Sequence, residues 1–198
     1  AATGLFAPHN ADTSGLRLPI EWNHSTFLPF DWGHFAFIYD TERMTTPPAS
    51  FDALIALPKA TKIVIQDPRS STPGLGLLLW VKSVYGDDAP RVWKALAPKI
   101  LTVTKGWWEA YSMFLKGEAD MVLSYTTSPA YHVVAESKTN YAAAAFGEGH
   151  YMQIEVAGKL RAAPNPELAD KFMNFILTDG FQSAIPTGNW MFPATGGV

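Results

Sequence analysis

Short apolar strands alternate with helical segments through the middle of the chain. Three runs have the length and β-branched content of buried strands: KIVIQ (62–66), LTVT (101–104) and DMVLSY (120–125). Helical patterns follow these runs and begin near Gly74, Gly106 and Ser128. Because a repeated strand–helix order is typical of α/β proteins, we expect a largely parallel sheet.

The flanking regions predict further elements. The first 25 residues are expected to form the tail of a helix and then irregular chain, since Pro8, Gly15 and Pro19 interrupt any regular pattern. The segment TFLPFDWGHFAFIY (26–39) is aromatic and β-branched, and it predicts two extended pieces around Asp31-Trp32-Gly33. Additional helices are expected at 51–57 and 165–177, and additional strands at 141–146 and 151–156.

Composition excludes several classes of function. The 198-residue chain has a net charge of −3 and no run of Lys or Arg, whereas a nucleic-acid surface needs a basic stripe. No apolar stretch approaches the ~20 residues of a membrane span. Cysteine is absent, which removes thiolate metal sites and a cysteine nucleophile from this sequence. The five histidines show no metal-ligand spacing, and motifs for a nucleophile elbow or a nucleotide loop are missing.

Two strand-to-helix turns have the same construction. In 67–73 and in 125–129, small polar residues end a strand and a proline opens the helix. Ligands of open α/β sheets bind at the carboxyl ends of strands, and a helix N-terminus can hold an anion such as phosphate. Hydroxyl residues also cap most helices, so on the residues alone capping is the favoured interpretation of Ser70, Ser71 and Ser128.

Aromatic residues cluster at turns and helix starts. Trp107 and Trp108 are neighbours on one helix, about 100° apart, so they cannot both enter the same core pocket. Tyr125, Tyr131 and Trp190 lie in comparable positions. Together such rings could enclose a flat or cationic ligand, because each ring face attracts a cation by roughly 0.5–2 kcal/mol. Ordinary packing explains any single ring equally well.

Long stretches of the chain resemble one known family. They are QDPRSSTPGLGLLLW (66–80), TVTKGWWEAYSMFLKGEADMVLSYTTSPAYH (102–132), FGEGHYMQIEVAG (146–158) and AIPTGNWMFP (184–193). They are similar to the thiamine-binding periplasmic proteins of bacterial ABC transporters, and the resemblance covers nearly the whole chain. It implies an α/β, two-lobe type II periplasmic binding protein fold. Lobe two is expected at 41–140, and a partial lobe one with crossover strands at 1–40 and 141–198.

The resemblance also implies that the chain is truncated relative to the family pattern, at both the N-terminus and the C-terminus. A missing N-terminal part is expected to supply strands of lobe one and an Asp-Gly pair on the pyrimidine side of the ligand.

The resemblance implies a set of ligand-binding residues. Trp107 is expected to stack on the ligand, and Trp190, in TGNW, on its thiazolium ring. Tyr125 and Tyr131 are expected to close the pocket, and Ser71 to meet the hydroxyethyl or phosphate end. Further polar contacts are expected from Thr126, Thr127 and Ser128. Trp108 departs from the pattern, since a small polar residue is common there, and it would narrow the mouth or share the stacking.

The implied function is transport without catalysis. The expected protein is the periplasmic solute-binding component of an ABC importer, which binds thiamine or its mono- or diphosphate and delivers it to the inner-membrane permease. It is expected to be a monomer when full length, with no cofactor, metal or nucleic acid. A thiamine-cleaving enzyme of the same fold is an alternative whose cysteine nucleophile would have to lie outside this sequence. A binder of iron(III) or of a polyamine is another, although the chain has no adjacent tyrosine pair.

Overall fold

A computed structural model describes residues 4–196, which divide into two compact units. One unit comprises the residues up to Gly33 together with those from Ile154 onward, and the other comprises His34–Gln153. Within residues 4–196, no helix is long and apolar enough to cross a membrane.

The unit 34–153 is built on a mixed sheet. Its strands are the second half of β1 (Phe27–Asp40), β2 (Ile63–Gln66), β3 (Ile100–Thr104), β4 (Met121–Tyr125) and β5 (Tyr141–Ala143). They lie in the order β3-β2-β4-β1-β5. Strands β3, β2 and β4 are parallel to one another, with Ile65 opposite Val103 and Val64 opposite Val122. β1 is antiparallel to both of its neighbours, β4 and β5.

Helices cover both faces of this sheet. They are α1 (Phe51–Ala56), α2 (Thr72–Tyr85), α3 (Ala89–Leu96), α4 (Trp107–Leu115) and α5 (Ser128–Glu136). Strand residues alternate between two cores, as the two-residue period of a strand requires. Ile63 and Ile65 join the core under α1, α2 and α3, whereas Val64 joins the core with Tyr111 and Phe114 of α4. Burial on both faces explains why β2 and β4 are continuous apolar runs, whereas the edge strand β3 exposes Leu101 and Val103.

The other unit has a smaller core. Its elements are the first half of β1, β6 (Met152–Gly158), α6 (Pro166–Phe175), α7 (Asp179–Gln182), α8 (Ile185–Gly188) and β7 (Phe192–Pro193). Leu28, Met173 and Ile176 form the buried cluster. Gln182 is fully buried and ties the elements together, because its amide donates to Phe30 O and accepts from Ala194 N.

The predicted core strands and helices of the middle region are confirmed, and three expectations were wrong. In place of two extended pieces in 26–39 there is one continuous strand, β1 (Phe27–Asp40), because Asp31 and Trp32 pair with β7 and bridge the two expected pieces. No helix occurs in the described part of 1–25. The sheet is mixed, since β1 runs against its neighbours. The unit bounds 34–153 also differ from the expected 41–140, because the second half of β1 pairs with β4 and β5.

Candidate functional site

Three neighbouring strand ends carry most of the predicted site. Because β3, β2 and β4 are adjacent and parallel, their carboxyl ends meet at one edge of the sheet. Each strand is followed there by a helix: α4 after β3, α2 after β2 and α5 after β4. Trp107, Ser71 and the turn 125–128 therefore share one edge of the unit 34–153. This is the location at which open α/β sheets bind ligands.

Trp107 is held in place by two contacts. Its indole Nε1–H donates to Ser124 Oγ at 2.8 Å, and its ring stacks on that of Tyr111, with centroids 4.9 Å apart and planes at 23°. Glu109 accepts from the Gly106 backbone N–H and fixes the start of α4. The Trp107 side chain is half-buried, whereas its neighbour Trp108 is 63% exposed. Trp107 is thus the anchored ring and Trp108 the solvent-facing one, and the two rings remain in contact, with centroids 5.9 Å apart.

The turn after β4 is organised by buried hydroxyls. Ser128 Oγ and Ser124 Oγ lie 2.7 Å apart, and Ser128 also accepts from the Tyr125 backbone N–H. The Tyr125 ring packs on Phe35, with centroids 5.2 Å apart, and its hydroxyl donates to Gln153 Oε1 at 3.2 Å. Ser128 is thereby a structural hydroxyl, and the ring of Tyr125 is fixed at both ends.

Thr126 and Thr127 follow at the surface of the same turn. The Thr126 backbone N–H donates to His34 O at 2.9 Å. Thr127 occupies the N-cap position of α5, but its side chain makes no capping bond to that helix. Both residues are half-buried, and in the chain they lie between Ser124 and Ser128.

Ser71 does not act as a side-chain cap. It occupies the N-cap position of α2, yet its hydroxyl makes no bond to the first turn of the helix, contrary to the capping interpretation. The turn is held instead by Asp67, whose backbone carbonyl accepts from Ser71 N. Hydrogen bonds from Arg69 lower the pKa of the Asp67 carboxyl to about 2. Ser70 Oγ donates to Lys105 O, so the neighbouring hydroxyl is used within the fold.

Tyr131 lies on α5 and is 38% exposed. Its ring makes an edge contact with the buried imidazole of His132, with centroids 5.1 Å apart. His132 Nε2 lies 2.9 Å from Tyr111 Oη, and its Nδ1 lies 2.8 Å from Glu136 Oε2. Burial raises the pKa of the Tyr111 hydroxyl above its usual range. His132 therefore supports Tyr131 directly and Trp107 through Tyr111.

Trp190 belongs to the other unit. It follows α8 and has a left-handed backbone with φ 57°, which is uncommon for a residue other than glycine. Its backbone N–H donates to Ile185 O at 3.1 Å, and its side chain is half-buried. Beside it, Asn189 Nδ2 donates to Asp31 Oδ2 at 2.6 Å and to Glu155 Oε2 at 3.2 Å.

Sequence reasoning missed the residues that support the rings. Ser124, Tyr111 and Gln153 are not among the predicted site residues, yet each contacts a predicted ring. A serine inside the apolar run DMVLSY was the available signal, because a buried strand hydroxyl needs a partner. Across residues 4–196, no group of three or more His, Cys, Asp or Glu side chains could hold a metal ion.

The arrangement, an α/β sheet with polar and aromatic residues at the carboxyl ends of adjacent parallel strands, is one in which open sheets bind small ligands. The sequence profile of the bacterial extracellular solute-binding protein family matches residues 1–197, and the chain belongs to this family. Among its relatives is the thiamine-binding periplasmic protein of Escherichia coli (strain K12), 57% identical over 191 residues. The corresponding protein of Haemophilus influenzae (strain Rd) is 46% identical over 196 residues. The alignments cover 96% and 98% of this chain but 58% of each relative, so the chain spans less than two thirds of their length.

Solved structures agree on the fold. A periplasmic thiamin binding protein, 55% identical, superposes with a TM-score of 0.97 over 100% of this chain and 62% of its own. A ferric binding protein from Campylobacter jejuni superposes with a TM-score of 0.82 at 16% identity, over 100% of this chain and 67% of its own, and shows the fold alone. The predicted α/β fold of the type II periplasmic binding proteins is thereby confirmed.

Proposed function

We propose that this protein is the periplasmic solute-binding component of an ABC importer, that it binds thiamine or a thiamine phosphate, and that it delivers the vitamin to the inner-membrane permease. Its relatives in Escherichia coli and Haemophilus influenzae are thiamine-binding periplasmic proteins. The observation that carries the proposal is the anchored ring of Trp107 at the shared edge of three parallel strands.

The chemistry of thiamine fits this arrangement. The thiazolium ring is flat and permanently charged, so aromatic faces attract it at any pH. Recognition by ring faces makes and breaks no bond, and the relatives are binding proteins. The thiamine-cleaving alternative requires a cysteine nucleophile, and this sequence contains no cysteine. Because the relatives are binding proteins, we infer a binding protein without catalysis.

Each predicted residue has a proposed role. In the unit 34–153, Trp107 stacks on the ligand. Trp190 belongs to the other unit and is proposed separately as a ring that contacts the thiazolium. Tyr125 and Tyr131 close the pocket around it. Polar contacts come from Thr126 and Thr127, and Ser128 contributes by holding their turn in place through Ser124.

A further proposed contact joins Ser71 to the hydroxyethyl or phosphate end of the ligand. Ser71 stands at the N-terminus of α2, where unpaired backbone N–H groups favour an anion, and its hydroxyl does not cap the helix. We propose that it meets the hydroxyethyl group of thiamine or the phosphate of its esters. The Ser71→Ala variant should then lower the affinity for thiamine monophosphate more than that for thiamine.

Titration of the full-length protein tests the function. Tryptophan fluorescence and calorimetry with thiamine, its mono- and its diphosphate are expected to show saturable one-to-one binding at micromolar ligand. Iron(III) citrate and spermidine serve as controls for the alternatives and are expected to give no saturable signal. Absence of thiamine binding, or tighter binding of either control, would overturn the proposal.

A further inference from the structure

Trp190 is held between two anchored neighbours. On its N-terminal side, the side-chain amide of Asn189 contacts two carboxyl groups. On its C-terminal side, Met191 is 5% exposed and packs on Gly33, where a Cβ atom would lie 2.9 Å from Met191 Cε. The next residue, Phe192, pairs with Trp32 in the sheet. The chain on either side of the Trp190 ring is therefore fixed to β1.

The anchor on the Asn189 side is buried and polar. The Asp31 side chain is 0% exposed, its Oδ2 accepts from Asn189, and its Oδ1 lies buried without a hydrogen-bond partner. Glu155 on β6 accepts from the same amide nitrogen. Both N–H bonds of one amide group are thus directed at two carboxyl groups on different strands, which fixes the orientation of Asn189.

The backbone of Trp190 needs such an anchor. A residue with a Cβ atom rarely adopts φ 57°, and this conformation persists only where the surroundings impose it. The backbone N–H groups of Asn189 and Trp190 both donate to Ile185 O, and the side chain of Asn189 adds a tie to β1 on the N-terminal side of the ring.

We propose that Asn189 is a positioning residue, whose side-chain amide bridges the carboxyl groups of Asp31 and Glu155 and thereby holds Trp190 in the left-handed conformation that presents its ring to ligand. The purpose of holding Trp190 rests on the proposed function. The position of the Trp190 ring can be measured without ligand. Asn189 is exposed, so replacing it leaves no cavity in the core.

The experiment separates positioning from binding. The full-length protein is labelled with 5-fluorotryptophan, and the Trp190 resonance in the ¹⁹F NMR spectrum is assigned with a Trp190→Phe variant. In ligand-free Asn189→Ala, the Trp190 resonance is expected to shift and broaden while those of Trp80 and Trp107 stay in place. Affinity for thiamine, measured by calorimetry, is expected to fall about tenfold, a difference of ~1.4 kcal/mol.

Two control variants sharpen the test. Asp31→Asn keeps an acceptor for Asn189 and gains a donor for Glu155, so its Trp190 resonance is expected to match that of the wild type. Thr187→Ala changes an exposed position of the preceding turn and is expected to leave both spectrum and affinity unchanged. An unaltered Trp190 resonance in Asn189→Ala overturns the positioning role. A shifted resonance in a protein that binds no thiamine overturns the proposed function alone.

Discussion

The indole nitrogen of Trp107 donates a hydrogen bond to the hydroxyl of Ser124 across 2.8 Å, and this bond ties the first residue of α4 to the penultimate residue of β4. Ser124 is fully buried and shares a second hydrogen bond with Ser128. Two strand-to-helix connections are thus joined through one strand hydroxyl. The Trp107 ring, which we assign to ligand binding, is part of this hydrogen-bond network, and the network determines the position of the ring.

The adjacent tryptophans provide a matched pair for ligand binding. Trp107→Ala is expected to weaken thiamine binding about tenfold, because one aromatic face attracts a cation by roughly 0.5–2 kcal/mol. Trp108→Ala, which removes a ring that is 63% exposed, is expected to change the affinity less than about twofold. Calorimetric titration of both variants measures the difference. Equal losses in the two variants would contradict the assignment of Trp107.

Removal of the Ser124 hydroxyl should destabilise the hydrogen-bond network that joins Trp107, Ser124 and Ser128. Ser124→Ala leaves the Trp107 indole N–H without its acceptor and Ser128 without its partner. The free energy of unfolding is expected to fall by about 1–3 kcal/mol, the usual cost of leaving buried polar groups unpaired. The control is Ser112→Ala, whose hydroxyl bonds to Glu109 O one turn earlier on the α4 surface and whose loss should cost at most ~0.5 kcal/mol. Urea unfolding compares the two, and equal costs would argue against the network.

Gly74 allows α2 to approach the end of β2. A Cβ atom at this position would lie 2.3 Å from the backbone oxygen of Gln66, and backbone cannot move aside without shifting the strand. Gly74→Ala is therefore expected to destabilise the protein by about 3 kcal/mol or more, and to displace Ser71 at the same helix start. Gly106→Ala adds a Cβ atom with nothing within 4 Å, so only the loss of a favoured N-cap residue contributes, and the cost should stay at ~1 kcal/mol or below. Thermal unfolding of both variants checks this contrast, which fails if Gly74→Ala is as stable as Gly106→Ala.

The buried carboxyl of Asp31 predicts a pH dependence of stability. Burial raises its pKa from 3.8 to about 7, although the hydrogen bond from Asn189 acts in the opposite direction. In the unfolded chain this group loses its proton near pH 3.8, whereas the folded protein keeps it to about pH 7. The folded state thus binds more protons inside this window, and stability falls as the pH rises through it.

The Asp31→Asn variant lacks the titrating carboxyl, so comparing it with the wild type measures the contribution of Asp31 to the pH dependence of stability. The free energy of unfolding in urea is compared for both proteins between about pH 4 and about pH 8. The difference between variant and wild type is expected to grow in favour of the variant as the pH rises, because the variant has no carboxyl to ionise. Parallel curves would show that Asp31 ionises as freely as in the unfolded chain.

Local patterns in the sequence determined the strands and helices of the middle region. Runs such as KIVIQ specify strands because both faces are buried, and Ser50 and Asn165 start helices through side-chain bonds to Ala53 N and Leu168 N. The resemblance of long stretches to one family predicted which aromatic rings and polar turns form the candidate site. For the two adjacent tryptophans, the helical spacing required that they point in different directions.

Only the tertiary structure decided how these pieces are used. Asp31 in the aromatic segment 26–39 reads as a turn residue, but pairing of β1 with β7 carries the strand straight through it. Ser71 reads as a cap, but its hydroxyl makes no capping bond. The support of Trp107 by Ser124 and Tyr111, and of Asn189 by Asp31, joins residues from different elements. Hydrophobic periodicity in the sequence indicates which residues of one helix or strand share a face. These contacts join different elements through strand pairing and helix packing, so no periodicity within a single element predicts them.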